Sequence, residues 1–298
     1  MYHKENSIVY LNGKFVKASE ATCSLYSQTV HYGMGVFEGI RSYDTRNGTK
    51  IFKAREHFER LLHSAHLMGI PHSYTVDELI QLSYSLLEKN NLEDAYIRPL
   101  LYMDENMSLQ VKKTSSSNLF MAAWQWDKYL GDKRINVYIS SYVRPSPKSF
   151  CIEAKTCGNY VNSILASTEA RNAGYDEAIL LDQNGNVAEG AASNLFIEKD
   201  GKLYTPPRGN ILPGITRGAV IEMAKEKDIE VIEKLFSTDE LYAADAAFLT
   251  GTAVEVAAIK SVNKIPYKKE FHHTITFEME KDFKNFVRNY HDPAYTII

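Results

Sequence analysis

The chain reads as a mixed α and β protein of two domains, and three observations predict it. Its 298 residues exceed the roughly 150 that one domain usually takes. Helical and strand-like periodicities are interspersed along the whole length, where separate all-α or all-β domains would segregate them. A polar stretch with one glycine, WDKYLGDKR (126–134), separates two groups of strand-like runs. The expected division is a smaller domain over 1–129, a linker over 130–134 and a larger domain over 135–298.

Near the start, IVYL and KFV flank Asn12-Gly13, a dipeptide that tolerates the left-handed backbone of a tight hairpin turn. From Arg55 to Met68 the apolar residues Phe58, Leu61, Leu62, Ala65 and Met68 fall at helical spacing, and Gly69 with Pro71 supplies the stop. Thr75 and Glu78 have the spacing of a capping box ahead of Leu79, Ile80, Leu82, Leu86 and Leu87, which predicts a second helix. AYIRPLLYM from Ala95, NLFMAAWQW from Asn118 and INVYISSYV from Ile135 read as strands. A helix is expected from Tyr160 to Asn172, closed by Gly174, and then strands at DEAILLD, NLFIE and KLYTP, with hairpin turns at Asn184-Gly185 and Asp200-Gly201. A helix beginning near Thr216, strands near EVIEKL and AAFLTG and a helix after His273 complete the reading.

Composition narrows the function. With 34 basic against 37 acidic side chains the net charge is −3, too balanced for the basic face that nucleic acid requires. No apolar run approaches the roughly 20 residues that cross a bilayer, so no membrane partner is expected. Charges in MYHKENSIVYLNGKF stand where a signal peptide would have its apolar centre, and Cys23, Cys151 and Cys157 form no CxxC pair. Both features fit a cytoplasmic location. Motif searches subtract further classes: GMGVFEG (33–39) misses the dinucleotide spacing, and no Walker-type GKS or GKT, HExxH or GxSxG occurs. His272 and His273 are adjacent and would point apart on a helix, so no metal is expected there.

Seven short segments remain: HYGMGVFEGIR, REHFERL, AYIRPL, EAKTCGNY, AEGAASNLF, LPGITR and LTGTAVE. Several have a chemical reading of their own. Lys155 lies among small residues, where burial would lower its proton affinity and make the amine nucleophilic. Glu189, between Ala188 and Gly190 and just ahead of an apolar run, is poorly suited to a plain surface charge, although a turn glutamate would look the same. Pro213, Gly214, Ile215 and Thr216 open a helix whose free amides suit an anion such as phosphate, while an ordinary capped helix is the competing reading.

In order and content the seven segments resemble the branched-chain amino acid aminotransferases, fold-type IV enzymes that use pyridoxal 5′-phosphate, over about Tyr10 to Val262. The resemblance implies a two-domain architecture with the cofactor cleft between the domains. It makes Lys155 the catalytic lysine, which attaches the cofactor and moves the proton between substrate Cα and cofactor C4′. Tyr160 would bond the cofactor's phenolic oxygen and Glu189 its ring nitrogen, while Arg60, Ile215, Thr216 and Thr252 would hold the phosphate. Tyr32, Phe37, Trp126 and Tyr129 would line the pocket for the substrate side chain. Arg98 would meet the side-chain carboxylate of glutamate, and Tyr96, Thr252 and Ala253 would serve the α-carboxylate. The implied reaction passes the amino group of leucine, isoleucine or valine to 2-oxoglutarate in a homodimer or larger homo-oligomer. D-amino acid aminotransferase and aminodeoxychorismate lyase share the cofactor residues and stand as alternatives, as does a non-catalytic phosphate-ligand binder. The segment DENMSLQVKKTSSS after Met103 departs from the family pattern, so Met107 and Leu109 are its candidates for apolar contacts. Cys157 reads as a small buried residue.

Overall fold

The computed structural model describes residues 3–112, 114–126 and 133–289. The chain divides into two compact units: Met1–Asp127 with Ala154–Gly158 and Val287–Ile298, and Lys128–Glu153 with Asn159–Phe286. This division is not contiguous, whereas the sequence suggested contiguous domains; residues 130–132 of the expected linker lie outside the described residues.

The first unit is built on a seven-stranded sheet. Strands β1 (Ile8–Leu11) and β2 (Lys14–Lys17) form the hairpin at Asn12-Gly13, where φ values of 44° and 87° supply the left-handed turn. After a short helix α1 (Gln28–Tyr32) come β3 (Gly35–Phe37), β4 (Ile40–Thr45) and β5 (Gly48–Ile51). Helices α2 (Ala54–Leu67) and α3 (Val76–Lys89) follow, and both halves of the Thr75–Glu78 capping box are made. Strands β6 (Ala95–Met103) and β7 (Ser117–Gln125) complete the sheet in the order β2-β1-β7-β6-β4-β5, with β3 also on β6.

Alternation across β6 and β7 decides what this sheet does. Ala95, Ile97, Leu101, Leu119, Met121 and Ala123 face the helices and pack with Phe58, Leu61, Leu79, Ile80 and Leu86 as the core. The opposite face carries Tyr96, Arg98, Ala122 and Trp124, paired across the strands as Tyr96 with Trp124 and Arg98 with Ala122. One face stabilises the unit and the other displays polar and aromatic groups.

The second unit holds β8 (Ile135–Val143), α4 (Tyr160–Asn172), β9 (Glu177–Leu181), β10 (Val187–Gly190), β11 (Asn194–Lys199) and β12 (Lys202–Thr205). These are followed by α5 (Ile215–Glu226), β13 (Val231–Glu233), α6 (Thr238–Ala243), β14 (Ala246–Gly251), β15 (Glu255–Val262) and β16 (Ile265–Pro266). The final helix α7 (Ile275–Asn289) ends in residues counted with the first unit. The sheet runs β10-β9-β8-β15-β14-β11-β12-β13, and β10 also pairs with β11, so six strands close on themselves. Glu189 opposite Asn194 is the pair that makes this closure. Ile135, Val137, Ile179, Leu195, Leu249 and Ile259 fill the core, while Ala166 and Ala170 of α4 pack on Ala178 and Leu180 of β9. Among the described residues no helix is long and apolar enough to cross a membrane.

Candidate active site

Lys155 sits in a segment stitched to the first unit by backbone bonds. Phe37 N–H donates to Lys155 O (3.0 Å), Cys157 N–H to Gly35 O (2.9 Å) and Gly158 N–H to Gly33 O (3.1 Å). The Lys155 amide itself donates to Ser64 Oγ on α2 (3.1 Å). This approach needs glycine at position 33: its φ is +67°, and a Cβ there would lie 2.6 Å from Gly158 Cα. With its backbone fixed on two sides, Lys155 extends Nζ to 5.1 Å from the Phe37 ring centroid. Cys157 is half-buried, and burial pushes its thiol up to about 11, so it is protonated at neutral pH.

Beside this segment lies a buried ion cluster. Glu38, fully enclosed, accepts from Arg60 Nε (2.6 Å), Arg60 Nη2 (2.9 Å) and His57 Nδ1 (2.8 Å). Burial alone would raise the Glu38 carboxyl, but the Arg60 guanidinium and His57 outweigh it and hold the group well below the usual carboxylate range. His57 is lowered, chiefly by burial, and is mostly neutral at pH 7. Arg60 therefore brings to the site a guanidinium oriented by bidentate contact. Neither Glu38 nor His57 was singled out from the sequence, although Glu38 stands in the quoted HYGMGVFEGIR and an acid flanked by Val36, Phe37 and Ile40 is a signal of burial.

The displayed face of β6 and β7 gathers the aromatic residues. Tyr96 packs on Trp126 (4.7 Å between centroids) and stacks on Trp124 (5.2 Å). The Arg98 guanidinium lies 4.9 Å from the Phe37 centroid, 5.3 Å from Tyr96 and 6.0 Å from Trp124, within cation–π range. Its hydrogen bond is to Tyr96 Oη (3.3 Å), its Nε is buried without one, and among the described residues no carboxylate pairs with it. Gly39 permits this arrangement, since a Cβ there would sit 1.9 Å from Tyr96 Oη. Trp124 joins the cluster although only Trp126 was expected. Phe37, Tyr96, Arg98, Trp126 and Lys155 are thus neighbours, with Phe37 touching both cations. Tyr32 is exposed and donates to Met107 O (3.4 Å), away from those contacts; Tyr129 lies outside the described residues.

In the second unit Glu189 is buried on β10 itself, where the sequence reading put it just before a strand. Its Oε1 lies 2.7 Å from Arg144 Nη2, and its Oε2 accepts from Asn194 Nδ2 (2.9 Å) and from the Leu212 amide (3.2 Å). Gly214 makes room for this, because a Cβ there would meet Asn194 Oδ1 at 1.9 Å. Helix α5 starts at Ile215 with Gly214 as its N-cap, which offers no capping side chain; Ile215 is half-buried and Thr216 buried in the first turn. Thr252 and Ala253 form the turn between β14 and β15, and Tyr160 opens α4. Arg144 and Asn194 were not foreseen: nothing local in YVRPSP marks an arginine whose partner is 45 residues on (189 − 144 = 45).

The chain matches the model of the family described as amino-transferase class IV over residues 35–262. This protein belongs to the class IV aminotransferase family. It is 42% identical over 271 residues to a branched-chain-amino-acid aminotransferase of Salmonella typhimurium, with 89% of this chain and 88% of that protein covered. A probable branched-chain-amino-acid aminotransferase of Aquifex aeolicus is 39% identical over 94% of this chain and 92% of its own length. Among solved structures, a branched-chain amino acid aminotransferase of Escherichia coli superposes with a TM-score of 0.91 at 39% identity, covering 95% of each chain. One from Thermobaculum terrenum, solved in its PLP form, gives 0.90 at 33% identity, covering 98% of this chain and 97% of its own. The mixed α and β fold of this aminotransferase is therefore the fold-type IV class that the sequence suggested, and the chain is an enzyme.

Proposed function

We propose that this aminotransferase moves the amino group of leucine, isoleucine or valine to 2-oxoglutarate with pyridoxal 5′-phosphate as cofactor. The observation that carries the substrate reading is Arg98: a half-buried cation, boxed by Phe37, Tyr96 and Trp124, without a carboxylate partner among the described residues. An aromatic box accepts an isobutyl or sec-butyl side chain, and its arginine meets the side-chain carboxylate of glutamate in the other half-reaction.

The residues present fit the cofactor. Lys155 supplies an amine on a rigid backbone, α5 offers a helix start without a capping side chain for phosphate, and Glu189 is a buried carboxylate able to hold a proton on a ring nitrogen. Pyridoxal phosphate bound there would supply an electron sink for the pair left when a proton leaves the substrate Cα. Lys155 would take that proton and return it at C4′. Tyr160 would donate to the phenolic oxygen, and Arg60, Ile215, Thr216 and Thr252 would hold the phosphate. Phe37 and Trp126 would wall the side chain, while Tyr96, Thr252 and Ala253 would orient the α-carboxylate.

The active form in this reading is a cytoplasmic homodimer. Leu25, Tyr26, Val30, Met107 and Leu109 form an exposed apolar stretch whose two segments are joined by Gln28 Nε2 donating to Ser108 O (2.8 Å), and a second copy would cover it. Steady-state assays with L-leucine, L-isoleucine, L-valine, D-alanine and aminodeoxychorismate test the function. Turnover of the three branched-chain donors with 2-oxoglutarate is expected; preference for D-alanine or aminodeoxychorismate would replace the reading.

A further inference from the structure

We infer that Arg144 is a positioning residue: its guanidinium keeps Glu189 a carboxylate, so that the proton between Glu189 and the cofactor's ring nitrogen resides on the nitrogen. The inference rests on the proposed pairing of Glu189 with that nitrogen and adds to it the group that decides where the proton lies.

Arg144 directly follows the last residue of β8, and its backbone is anchored by its amide donating to Leu181 O at the end of β9 (2.8 Å). Its side chain and that of Glu189 are each 6% exposed, with Nη2 2.7 Å from Oε1. The other donors to Glu189 described above are neutral amides, from Asn194 and Leu212. The acids of the neighbouring strand are committed locally: Asp182 accepts from the Asn184 and Asn186 amides and Glu177 from the Ala178 amide.

A proton shared by a carboxylate and a pyridine nitrogen has two arrangements, carboxylate with pyridinium or carboxylic acid with neutral pyridine. Burial favours the uncharged arrangement, because neither partner then needs solvation. A cation in contact with the carboxylate raises the cost of protonating the oxygen far more than that of protonating the more distant nitrogen. Only the pyridinium is a strong electron sink. Arg144 thus selects the working arrangement without touching substrate or cofactor.

The test uses holoenzyme reconstituted with pyridoxal phosphate labelled with 15N in the ring, and reads the nitrogen chemical shift alongside kcat. Wild type and Arg144→Lys are expected to show a protonated nitrogen. In Arg144→Gln the signal moves toward unprotonated pyridine and kcat falls by about tenfold or more. Arg144→Met, which keeps much of the side-chain volume, is the second neutral variant should glutamine prevent folding, and the same movement is expected of it. An unmoved nitrogen signal in a folded neutral variant, or a Lys variant shifted as far as the Gln variant, would overturn the inference. Glu189→Gln separates the two layers. A nitrogen that responds to Glu189→Gln but not to loss of the Arg144 charge defeats only the role of Arg144, whereas indifference to Glu189→Gln defeats the pairing beneath it.

Discussion

Both units bury a carboxylate against a guanidinium, yet the two pairs are built for different ends. Glu38 is wholly enclosed and receives two nitrogens of Arg60 and one of His57, so both its oxygens are occupied by basic side chains. Glu189 meets Arg144 through one oxygen and neutral amides through the other, on a strand where the sheet closes. A carboxylate saturated by bases is a clamp: its charge is spent in fixing Arg60 and the turn into β4. Glu189, held by Arg144 through one oxygen and by neutral amides through the other, is placed to meet a ligand as well.

Mutation should separate the clamp from the tool. Glu38→Ala leaves Arg60 buried without its counter-charge and is expected to cost about 3–5 kcal/mol, read by urea unfolding. The same group predicts an acid limb. Its folded value lies below the ordinary 4.5, so its contribution is complete above that pH and is lost as pH falls further. Urea midpoints measured from pH 6 to pH 3 should fall more steeply for wild type than for Glu38→Gln.

Glu189→Gln reverses the emphasis. It retains a side chain able to accept from Arg144, so stability should drop by only about 2 kcal/mol, while kcat drops by about 100-fold or more. A stability loss in Glu189→Gln as large as that in Glu38→Ala would erase the contrast. Gly214→Ala touches the tool indirectly. Its new methyl forces Asn194 away from Glu189, for about 1–3 kcal/mol and a weaker affinity for pyridoxal phosphate in equilibrium binding. An exposed pair sets the floor: Arg55→Ala, which removes the contact with Asp77 at 2.7 Å, should change stability by no more than about 0.5 kcal/mol.

What could be read from the sequence depended on the range of the interaction. The Asn12-Gly13 hairpin, the Thr75–Glu78 capping box and α4 closed by Gly174 are set by residues within a few positions of one another, and all are found where expected. Strands β3, β4 and β15 had no clear local signal and draw part of their pairing from strands far along the chain, β6 for β3 and β4 and β8 for β15, whereas β5 and β10 pair with near neighbours but at four residues each are too short to show alternation. The grouping of residues 154–158 with the first unit has the same origin, since three of its backbone bonds reach Gly33, Gly35 and Phe37 across more than a hundred residues. Within the site, the family resemblance pointed to Lys155, Arg98 and Glu189. The residues that hold two of them, Ser64 for the Lys155 backbone and Arg144 for the Glu189 carboxylate, carry no motif, and only three-dimensional pairing brings them forward.

In the proposed reaction Lys155 is the residue bonded to the cofactor. Reducing the reconstituted enzyme with borohydride and mapping the modified peptide by mass spectrometry tests it in one step. A phosphopyridoxyl group on Lys155 is expected, and no such product from Lys155→Ala. Modification of a different lysine in the wild-type enzyme, with Lys155→Ala still labelled and active, would contradict it.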